Sequence, residues 1–233
     1  MPESALKDYT VVFDLDGTLV DTALDLMRCT NYVLDLAGLP AVDAAHLRPI
    51  ISHGARAMIE KGLATHGARL EAGEIDRLWQ RFLDHYVATI SQESQAFPGL
   101  LAALDYLDTG GAKLAVCTNK QAAMSHRLLE DLDLKRRFRF IAGRDTFPHQ
   151  KPHPAHLLRT IEHAGGSPER AILVGDSDVD LATARAAGVP MIAVSFGYSD
   201  PPVATLSPDV LIDHYDELPQ AVRTILGRMR QPQ

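Results

Sequence analysis

Acidic side chains are concentrated at two points of the chain. Asp14 and Asp16 flank a single leucine directly after a short apolar run, and Asp176, Asp178 and Asp180 occupy alternate positions after another apolar run. Carboxylates packed this closely repel one another, and a cation among them offsets that repulsion. Hard oxygen ligands favour Mg²⁺, which usually takes one or two carboxylates together with substrate phosphate and water. The pattern therefore predicts a magnesium site that binds a phosphate.

A calcium-binding helix–loop–helix is an alternative for the second acidic group, because its three aspartates match the first three ligand positions of that motif. The rest of the motif is missing: the sixth position requires glycine and is Leu181, and the twelfth requires glutamate and is Ala187. Asp178 or Asp180 can also serve as a helix N-cap before Leu181. We keep the magnesium hypothesis and leave the N-cap interpretation open for these two acids.

Two further polar residues are of types that phosphate chemistry needs. Lys151 stands before a proline and a predicted helix, and its ammonium would offset the charge of a phosphoryl group beside carboxylates. Thr118 follows an apolar run, and its hydroxyl is suited to bind a phosphoryl oxygen near the N-terminus of the next helix. Each also has an ordinary interpretation, as a solvated surface charge and as a helix cap. Their order along the chain, together with the acids, favours phosphate chemistry.

Short apolar runs precede these residues and predict the strands that position them. The runs alternate with helical patterns, which predicts an α/β fold with a Rossmann-like, doubly wound parallel sheet and right-handed crossovers. In such a sheet ligands bind beyond the carboxyl ends of the strands, so we expect the polar residues to meet there. The predicted strands span 10–13, 113–117, 139–142, 171–174 and 191–194, and the predicted helices span 98–107, 121–132, 154–164, 179–187 and 217–229.

The segment 21–96 interrupts this alternation. Its pattern is helical throughout and contains no strand candidate. Between residues 77 and 90, apolar side chains recur at three- and four-residue steps, which predicts an amphipathic helix with Trp79, Phe82 and Tyr86 in its packing stripe. We interpret the segment as an all-helical domain inserted after the first strand, with hinges near 19–22 and 97–99.

The composition restricts partners and location. The 233 residues include 23 basic and 30 acidic side chains, a net charge of −7, and this acidic excess argues against nucleic-acid binding. No stretch approaches the roughly 18 apolar residues of a membrane span, and the first eight residues lack the apolar run of a signal peptide. The two cysteines, Cys29 and Cys117, are predicted core residues with no disulfide framework. We predict a soluble cytoplasmic protein, a monomer or homodimer, without nucleic-acid or membrane partners.

Four segments closely resemble the four sequence motifs of the haloacid dehalogenase superfamily. The resemblance spans nearly the whole chain and implies a Rossmann-like core formed by 1–20 and 97–233, with a helical cap at 21–96 that governs substrate specificity. The four segments are Asp14-Leu15-Asp16-Gly17-Thr18, Thr118-Asn119, Lys151-Pro152 and Gly175-Asp176-Ser177-Asp178-Val179-Asp180.

The resemblance implies a Mg²⁺-dependent phosphatase that works through an aspartyl phosphate on Asp14. Asp14 would be both nucleophile and metal ligand, and Asp16 would act as general acid and then as general base while its backbone carbonyl reaches the metal. Dehalogenases of the superfamily lack this second aspartate, so Asp16 indicates phosphoryl chemistry. The other implied metal residues are Asp176 and Asp180, and the implied phosphate- or substrate-binding residues are Gly17, Thr18, Thr118, Asn119, Lys120, Lys151 and Arg56.

Within the superfamily, local segments resemble phosphoglycolate phosphatases. This implies a small phosphate ester, 2-phosphoglycolate, as substrate, with its carboxylate bound by Arg56, whose planar fork suits a carboxylate, or by Lys120. Phosphatases of sugar phosphates or muramic acid phosphate, pyrophosphatases and phosphomutases share much of the pattern and stay open. A phosphoacceptor signalling domain is the alternative from a different functional class. Asp16 and the large helical insertion argue against it. The segments are Asp21-Thr22, Thr118-Asn119-Lys120, Lys151-Pro152-His153-Pro154, Phe196-Gly197-Tyr198 and residues 51–59.

Overall fold

The computed structural model describes residues 5–229. Residues 1–4, which belong to the segment where no signal peptide is predicted, and residues 230–233 lie outside the described part. Across 5–229, every helix is too short or too polar to cross a lipid bilayer.

The strands, in chain order, are Thr10–Phe13 (β1), Val20–Asp21 (β2), Gln95–Ala96 (β3), Lys113–Cys117 (β4), Phe140–Ala142 (β5), Ala171–Gly175 (β6), Met191–Val194 (β7) and Val210–Ile212 (β8). The α-helices are Ala23–Leu36 (α1), Ala44–Leu47 (α2), Ala55–Thr65 (α3), Ala72–Ala88 (α4), Leu100–Thr109 (α5), Ala122–Asp131 (α6), Pro154–His163 (α7), Asp178–Ala187 (α8) and Leu218–Met229 (α9).

Six parallel strands form one sheet in the order β5-β4-β1-β6-β7-β8. β1 lies in the middle, with Val11 paired to Leu114 of β4 and to Ile172 of β6. Alternate side chains of β1 enter two apolar layers: Val11 joins the core that includes residues of α5 and α6, and Val12 joins the core with α7 and α8. Both faces are covered, so the central strands are apolar throughout. The predicted doubly wound α/β fold is confirmed.

The sheet contains one strand that was not predicted, β8, at its edge. It has three residues, of which Ile212 is buried and Leu211 is exposed. Such a short run with mixed burial carries little periodicity, so the sequence pattern did not reveal it.

The expectation that 21–96 holds no strand is wrong at both ends of the segment. β2 and β3 form a two-stranded antiparallel ribbon in which Val20 pairs with Ala96 and Asp21 pairs with Gln95. Each strand is only two residues long, which is below the length at which alternation can be recognised. The chain therefore leaves β1 and returns to α5 through adjacent strands.

Between these strands the chain is helical, as predicted. α1 packs against both α3 and α4, and Phe82 and Tyr86 of α4 are almost fully buried. Trp79 is only partly buried, and Val87, which the periodicity placed on the apolar side, is 50% exposed.

Asp25 anchors the first turns of α1 to the returning chain. Its carboxylate is fully buried and accepts hydrogen bonds from the Ser94 hydroxyl at 2.6 Å, from the Ser94 and Glu93 backbone N–H groups, and from Arg28. Burial alone would raise the pKa of Asp25, but the hydrogen bonds from Ser94 and Arg28 outweigh it and lower the pKa. The start of the helical segment is thus held beside its end.

Candidate active site

The carboxyl ends of β1, β4, β5 and β6 meet at one edge of the sheet, as expected for parallel strands. Asp14 follows β1, and Lys151 lies in the connection between β5 and α7 with only 2% of its surface exposed. The Lys151 ammonium lies 2.9 Å from Asp14 Oδ1 and 2.6 Å from Asp180 Oδ1. Burial acts to lower the pKa of Lys151, but these two carboxylates hold it above its ordinary value, so the ammonium stays charged.

Asp176 follows β6 and is held on both oxygens. Thr18 Oγ1 donates to Oδ1 at 2.8 Å, and the Tyr198 backbone N–H donates to Oδ2 at 2.9 Å. Two glycines make room for it: a Cβ on Gly17, whose φ is +82°, would lie 2.5 Å from Asp176 Oδ2, and a Cβ on Gly197 would lie 2.2 Å from Asp176 Cβ. These contacts orient a 1% exposed carboxylate towards Asp14.

Asp180 belongs to the first turn of α8 and closes a capping box with Ser177. Ser177 is the N-cap: its hydroxyl accepts from the Asp180 N–H, while Asp180 Oδ2 accepts from the Ser177 hydroxyl at 2.6 Å and from the Ser177 N–H at 3.1 Å. The N-cap interpretation of Asp178 or Asp180 is therefore wrong, and Asp178 is an exposed residue of the first turn. Its other oxygen accepts from Lys151, so both oxygens of Asp180 already accept hydrogen bonds from protein donors.

Asp16 is bound by Lys120. The Lys120 ammonium donates to both carboxylate oxygens, at 2.9 and 3.1 Å, and Thr22 Oγ1 donates to Oδ1 at 2.8 Å. The same ammonium lies 4.5 Å from the centre of the Tyr86 ring, a cation–π contact between the sheet edge and α4. Asp16 is thus held by one residue after β4 and by one residue at the start of the helical segment.

Thr118 is buried beside these groups. Its Oγ1 accepts from the Lys120 backbone N–H at 3.2 Å, and no acceptor for its hydroxyl proton lies among residues 5–229, so that proton is available to a ligand. Asn119 donates through Nδ2 to the Lys151 carbonyl at 3.0 Å. Asn119 therefore ties the loop after β4 to the loop that carries Lys151.

His156 orders the other side of the Lys151 loop. Its Nδ1 accepts from the Lys151 backbone N–H at 3.2 Å, so the ring proton lies on Nε2, which donates to the Gly143 carbonyl at 3.2 Å. Burial, followed by the nearby Lys151 charge, lowers the pKa of His156 to about 4. A neutral imidazole with both nitrogens occupied therefore connects β5 to α7.

The carboxylates fit a divalent metal. Ligand oxygens of Asp14, Asp176 and Asp180 lie within 4.8 Å of one another. Burial, with the repulsion of the neighbouring acids, raises the pKa of Asp14 to about 6 and that of Asp176 to about 8. Asp14 Oδ1 is buried and lies 2.9 Å from the Lys151 ammonium, but no donor among residues 5–229 is directed at it as in a hydrogen bond. An added cation would offset the repulsion and supply the missing partner.

A cavity of about 340 Å³ opens above the acids. The sheet edge supplies one wall and the helical segment supplies the other. The first wall contains Asp14, Asp16, Thr118, Asn119, Lys120, Gln121, Met124, Arg144, Lys151, Asp176, Ser177 and Val179, and the second contains Leu26, Ile51, His53, Gly54, Ala55, Arg56, Trp79, Phe82, Leu83 and Tyr86.

Most of the residues predicted from the motifs lie in this cavity wall. Gly17 and Thr18 do not. Thr18 is fully buried and donates to Asp176, and Gly17 leaves room for the Asp176 carboxylate. Asp180 is also outside the wall, and its contact with Lys151 is what links it to the cavity. Arg56 lies in the wall, but its guanidinium is in ion pairs with Asp76 at 2.5 Å and Glu60 at 3.2 Å.

Several residues of the site were not predicted as such. Trp79, Phe82 and Tyr86 were expected only to pack, and they also face the cavity, because periodicity indicates an apolar side of a helix but not what covers it. Arg144 follows β5, at an edge of the sheet where polar residues were expected to meet, but no role was predicted for it. Tyr198 was predicted only as part of a segment that resembles phosphoglycolate phosphatases. Its hydrogen bonds to two distant loops have no signal in the sequence.

Comparisons with known proteins identify a family and similar proteins. The family model described as haloacid dehalogenase-like hydrolase matches residues 11–194. The chain is 48% identical over 208 residues to a phosphoglycolate phosphatase of Mesorhizobium japonicum, covering 89% of this chain and 92% of the relative. It is 43% identical over 227 residues to a phosphoglycolate phosphatase of Caulobacter vibrioides, covering 97% and 96%. A predicted phosphoglycolate phosphatase from Haemophilus somnus has a crystal structure similar to this fold, with TM-score 0.85, 26% identity and coverage of 92% and 97%.

Proposed function

Because the chain belongs to the haloacid dehalogenase-like hydrolase family, we propose that it is a Mg²⁺-dependent phosphatase that hydrolyses 2-phosphoglycolate. The observation that carries the proposal is the cluster of Asp14, Asp176 and Asp180 around the Lys151 ammonium at the base of a cavity. The names of the similar proteins support the choice of substrate.

In the proposed reaction, an Asp14 oxygen attacks phosphorus and the bond from phosphorus to the ester oxygen breaks. Asp16 gives its proton to the departing oxygen, so that glycolate leaves as an alcohol and Asp14 carries the phosphoryl group. Asp16 then takes a proton from water, which attacks phosphorus, and inorganic phosphate and free Asp14 result. Splitting one displacement into two lets a single pair of acids serve both steps.

The remaining residues of the site would place positive charge and hydrogen-bond donors around the phosphate. Lys151 neutralises Asp14 and the entering phosphate, and the free Thr118 hydroxyl proton is available to a phosphoryl oxygen. We propose that Asp14, the Asp16 carbonyl and Asp176 hold Mg²⁺, with Asp180 keeping Lys151 and the α8 loop in place. When bound, the metal stabilises negative charge on the transferring phosphoryl oxygens. Gly17 and Thr18 serve this site through Asp176.

We propose further that 21–96 is a cap domain, with 1–20 and 97–233 as the core. The antiparallel ribbon β2–β3 at the two crossings and the cavity between the helical segment and the sheet edge support this division. A cap that closes over the acids would exclude water from the carboxylates and strengthen their interactions with the substrate. A cytoplasmic location and a monomeric or homodimeric state are part of the same proposal.

The test is phosphate release from a panel of esters with and without Mg²⁺. The panel contains 2-phosphoglycolate, ethyl phosphate, a hexose phosphate, muramic acid phosphate and pyrophosphate. We expect 2-phosphoglycolate to have the highest kcat/KM and chelator to stop release. A preference for a hexose phosphate would overturn the substrate and leave the phosphatase chemistry standing. A phosphorylated protein that persisted overnight would instead support a signalling domain.

A further inference from the structure

Four cationic side chains contribute to the cavity wall: Arg56, Lys120, Arg144 and Lys151. Three of them are already bound to carboxylates. Lys151 contacts Asp14 and Asp180, Lys120 holds both oxygens of Asp16, and Arg56 is paired with Asp76 and Glu60.

Arg144 differs from the other three. Among residues 5–229, no carboxylate lies within 4.0 Å of its guanidinium nitrogens, and its side chain makes no hydrogen bond. It is exposed to solvent at the cavity wall. Its positive charge is therefore available to a ligand without the loss of an existing ion pair.

The backbone of Arg144 is fixed beside the loop after β4 that carries Thr118 and Lys120. Its N–H donates to the Lys120 carbonyl at 2.9 Å, and the next residue, Asp145, accepts from the Ala122 N–H at 2.8 Å. Gly143 lies so close to α6 that a Cβ there would be 2.2 Å from the Ala122 nitrogen. The loop after β5 is thus held against the loop that carries Thr118 and Lys120, and it holds the Arg144 backbone at a set position in the wall.

We infer that Arg144 binds the carboxylate of the substrate and so selects phosphate esters that carry a second anionic group. The inference rests on the proposed function, which brings a carboxylate into the cavity together with the phosphate. That carboxylate needs a cation, since leaving it unpaired on closure would be costly. Arg56 would have to release Asp76 and Glu60, and Lys120 would have to release Asp16, whereas Arg144 releases nothing. Its planar fork also matches the two oxygens of a carboxylate.

The test compares 2-phosphoglycolate with ethyl phosphate, which has the same chain length and no carboxylate. The readout is the selectivity, the ratio of the two kcat/KM values, measured in the wild type, in Arg144→Ala and Arg144→Lys, and in Arg56→Ala. Arg136→Ala is the surface control, because Arg136 is 74% exposed and paired with Asp133. Thermal unfolding of each variant verifies that it is folded.

We expect Arg144→Ala to lower the selectivity tenfold to a thousandfold, mainly through a higher KM for 2-phosphoglycolate, since the contact exists before the transition state. Arg144→Lys should recover part of the selectivity, because it keeps the charge and loses the fork. Arg136→Ala should stay within twofold of the wild type.

Three results would overturn the inference while leaving the proposed function standing. They are wild-type selectivity in Arg144→Ala, an equal loss on both esters in that variant, and a loss of selectivity that follows Arg56→Ala instead. A wild type that did not distinguish the two esters would overturn both the inference and the proposed substrate.

Discussion

The Tyr198 backbone N–H donates to Asp176 Oδ2 at 2.9 Å, while the hydroxyl of the same Tyr198 donates to Asp21 Oδ1 at 2.6 Å. The hydroxyl also accepts from the Thr22 and Ala23 N–H groups, at 2.7 and 3.1 Å. One residue thus touches the candidate metal ligand with its backbone and the first turn of α1 with its side chain. The position of Asp176 and the entry into the helical segment therefore depend on the same contact.

Replacing Tyr198 by Phe should lower the free energy of unfolding by about 1–3 kcal/mol, because among residues 5–229 the Thr22 N–H then has no acceptor and the Ala23 N–H keeps only its 3.2 Å hydrogen bond to Asp21 Oδ1. Urea unfolding followed by circular dichroism measures the change. Tyr106→Phe is the control, since within residues 5–229 the Tyr106 hydroxyl has a single hydrogen bond, a 3.5 Å contact with Arg223. Equal stabilities of the two variants would contradict the role given to the Tyr198 hydroxyl.

Replacing Asp14 by Asn should reduce kcat at least a thousandfold, equivalent to about 4 kcal/mol, because it removes the attacking oxygen and one charge of the metal site. Released phosphate gives the rate, and thermal unfolding tests the fold. Asp178→Asn is the matched control, an exposed acid of the same edge. If the folded Asp14→Asn protein kept more than a few per cent of the wild-type rate, covalent catalysis on Asp14 would be ruled out.

Replacing Asp176 by Ala should weaken Mg²⁺ binding at least tenfold, since one of the two carboxylates proposed to bind the metal is lost. Calorimetric titration with Mg²⁺ reads binding independently of turnover. Chelator should silence the wild type, and Ca²⁺ should inhibit it because its larger, looser coordination disturbs the in-line geometry. Unchanged Mg²⁺ affinity in Asp176→Ala, with Asp178→Ala as reference, would remove Asp176 from the metal site.

His156 should make the protein less stable as the pH drops from 6.5 towards 4, against the contributions of Asp14 and Asp176, whose raised pKa values stabilise the folded protein as the pH falls. The pKa of His156 is lowered to about 4 in the folded protein, so between these values the unfolded chain binds a proton that the folded protein does not. The lowered pKa corresponds to a loss of about 3 kcal/mol in the free energy of unfolding, complete below pH 4. Urea unfolding at several pH values should show that, as the pH falls through this range, the free energy of unfolding of the wild type decreases relative to that of His156→Gln. Parallel curves would show that His156 does not contribute.

The sequence was most informative where a strand ends. Asp14, Thr118 and Asp176 were predicted from apolar runs that stop at a polar residue. The sheet brings them to one edge because its strands are parallel, so that their carboxyl ends lie side by side. Chain order and strand ends are local properties, and a local pattern is enough to reveal them.

The role of a predicted residue was less accessible than its position. Thr18 was expected to contact phosphate, and its hydroxyl instead donates to Asp176, 158 residues away along the chain. Ser177 is the N-cap of α8, whereas the alternating acids had suggested Asp178 or Asp180 for that position. Which of several neighbouring polar groups faces a ligand depends on distances across the fold, and spacing along the chain does not encode them.

Residues contributed by the helical segment were the least predictable. Tyr86 has the sequence signature of a packing residue, and its burial confirms that signature. Its contact with the Lys120 ammonium arises because α4 lies across the sheet edge, which no amphipathic pattern specifies. Pairing of β2 with β3 is likewise a long-range contact between two dipeptides.

That pairing has a consequence for how the chain can be rearranged. Asp21 and Gln95 are opposite each other in antiparallel register, so the polypeptide enters and leaves the helical segment at a single point. A hairpin turn of a few residues would span the same gap. We therefore expect that the helices between them can be exchanged or shortened without moving β1 or Asp14 at its end, which would let the proposed catalytic edge work with different cap segments.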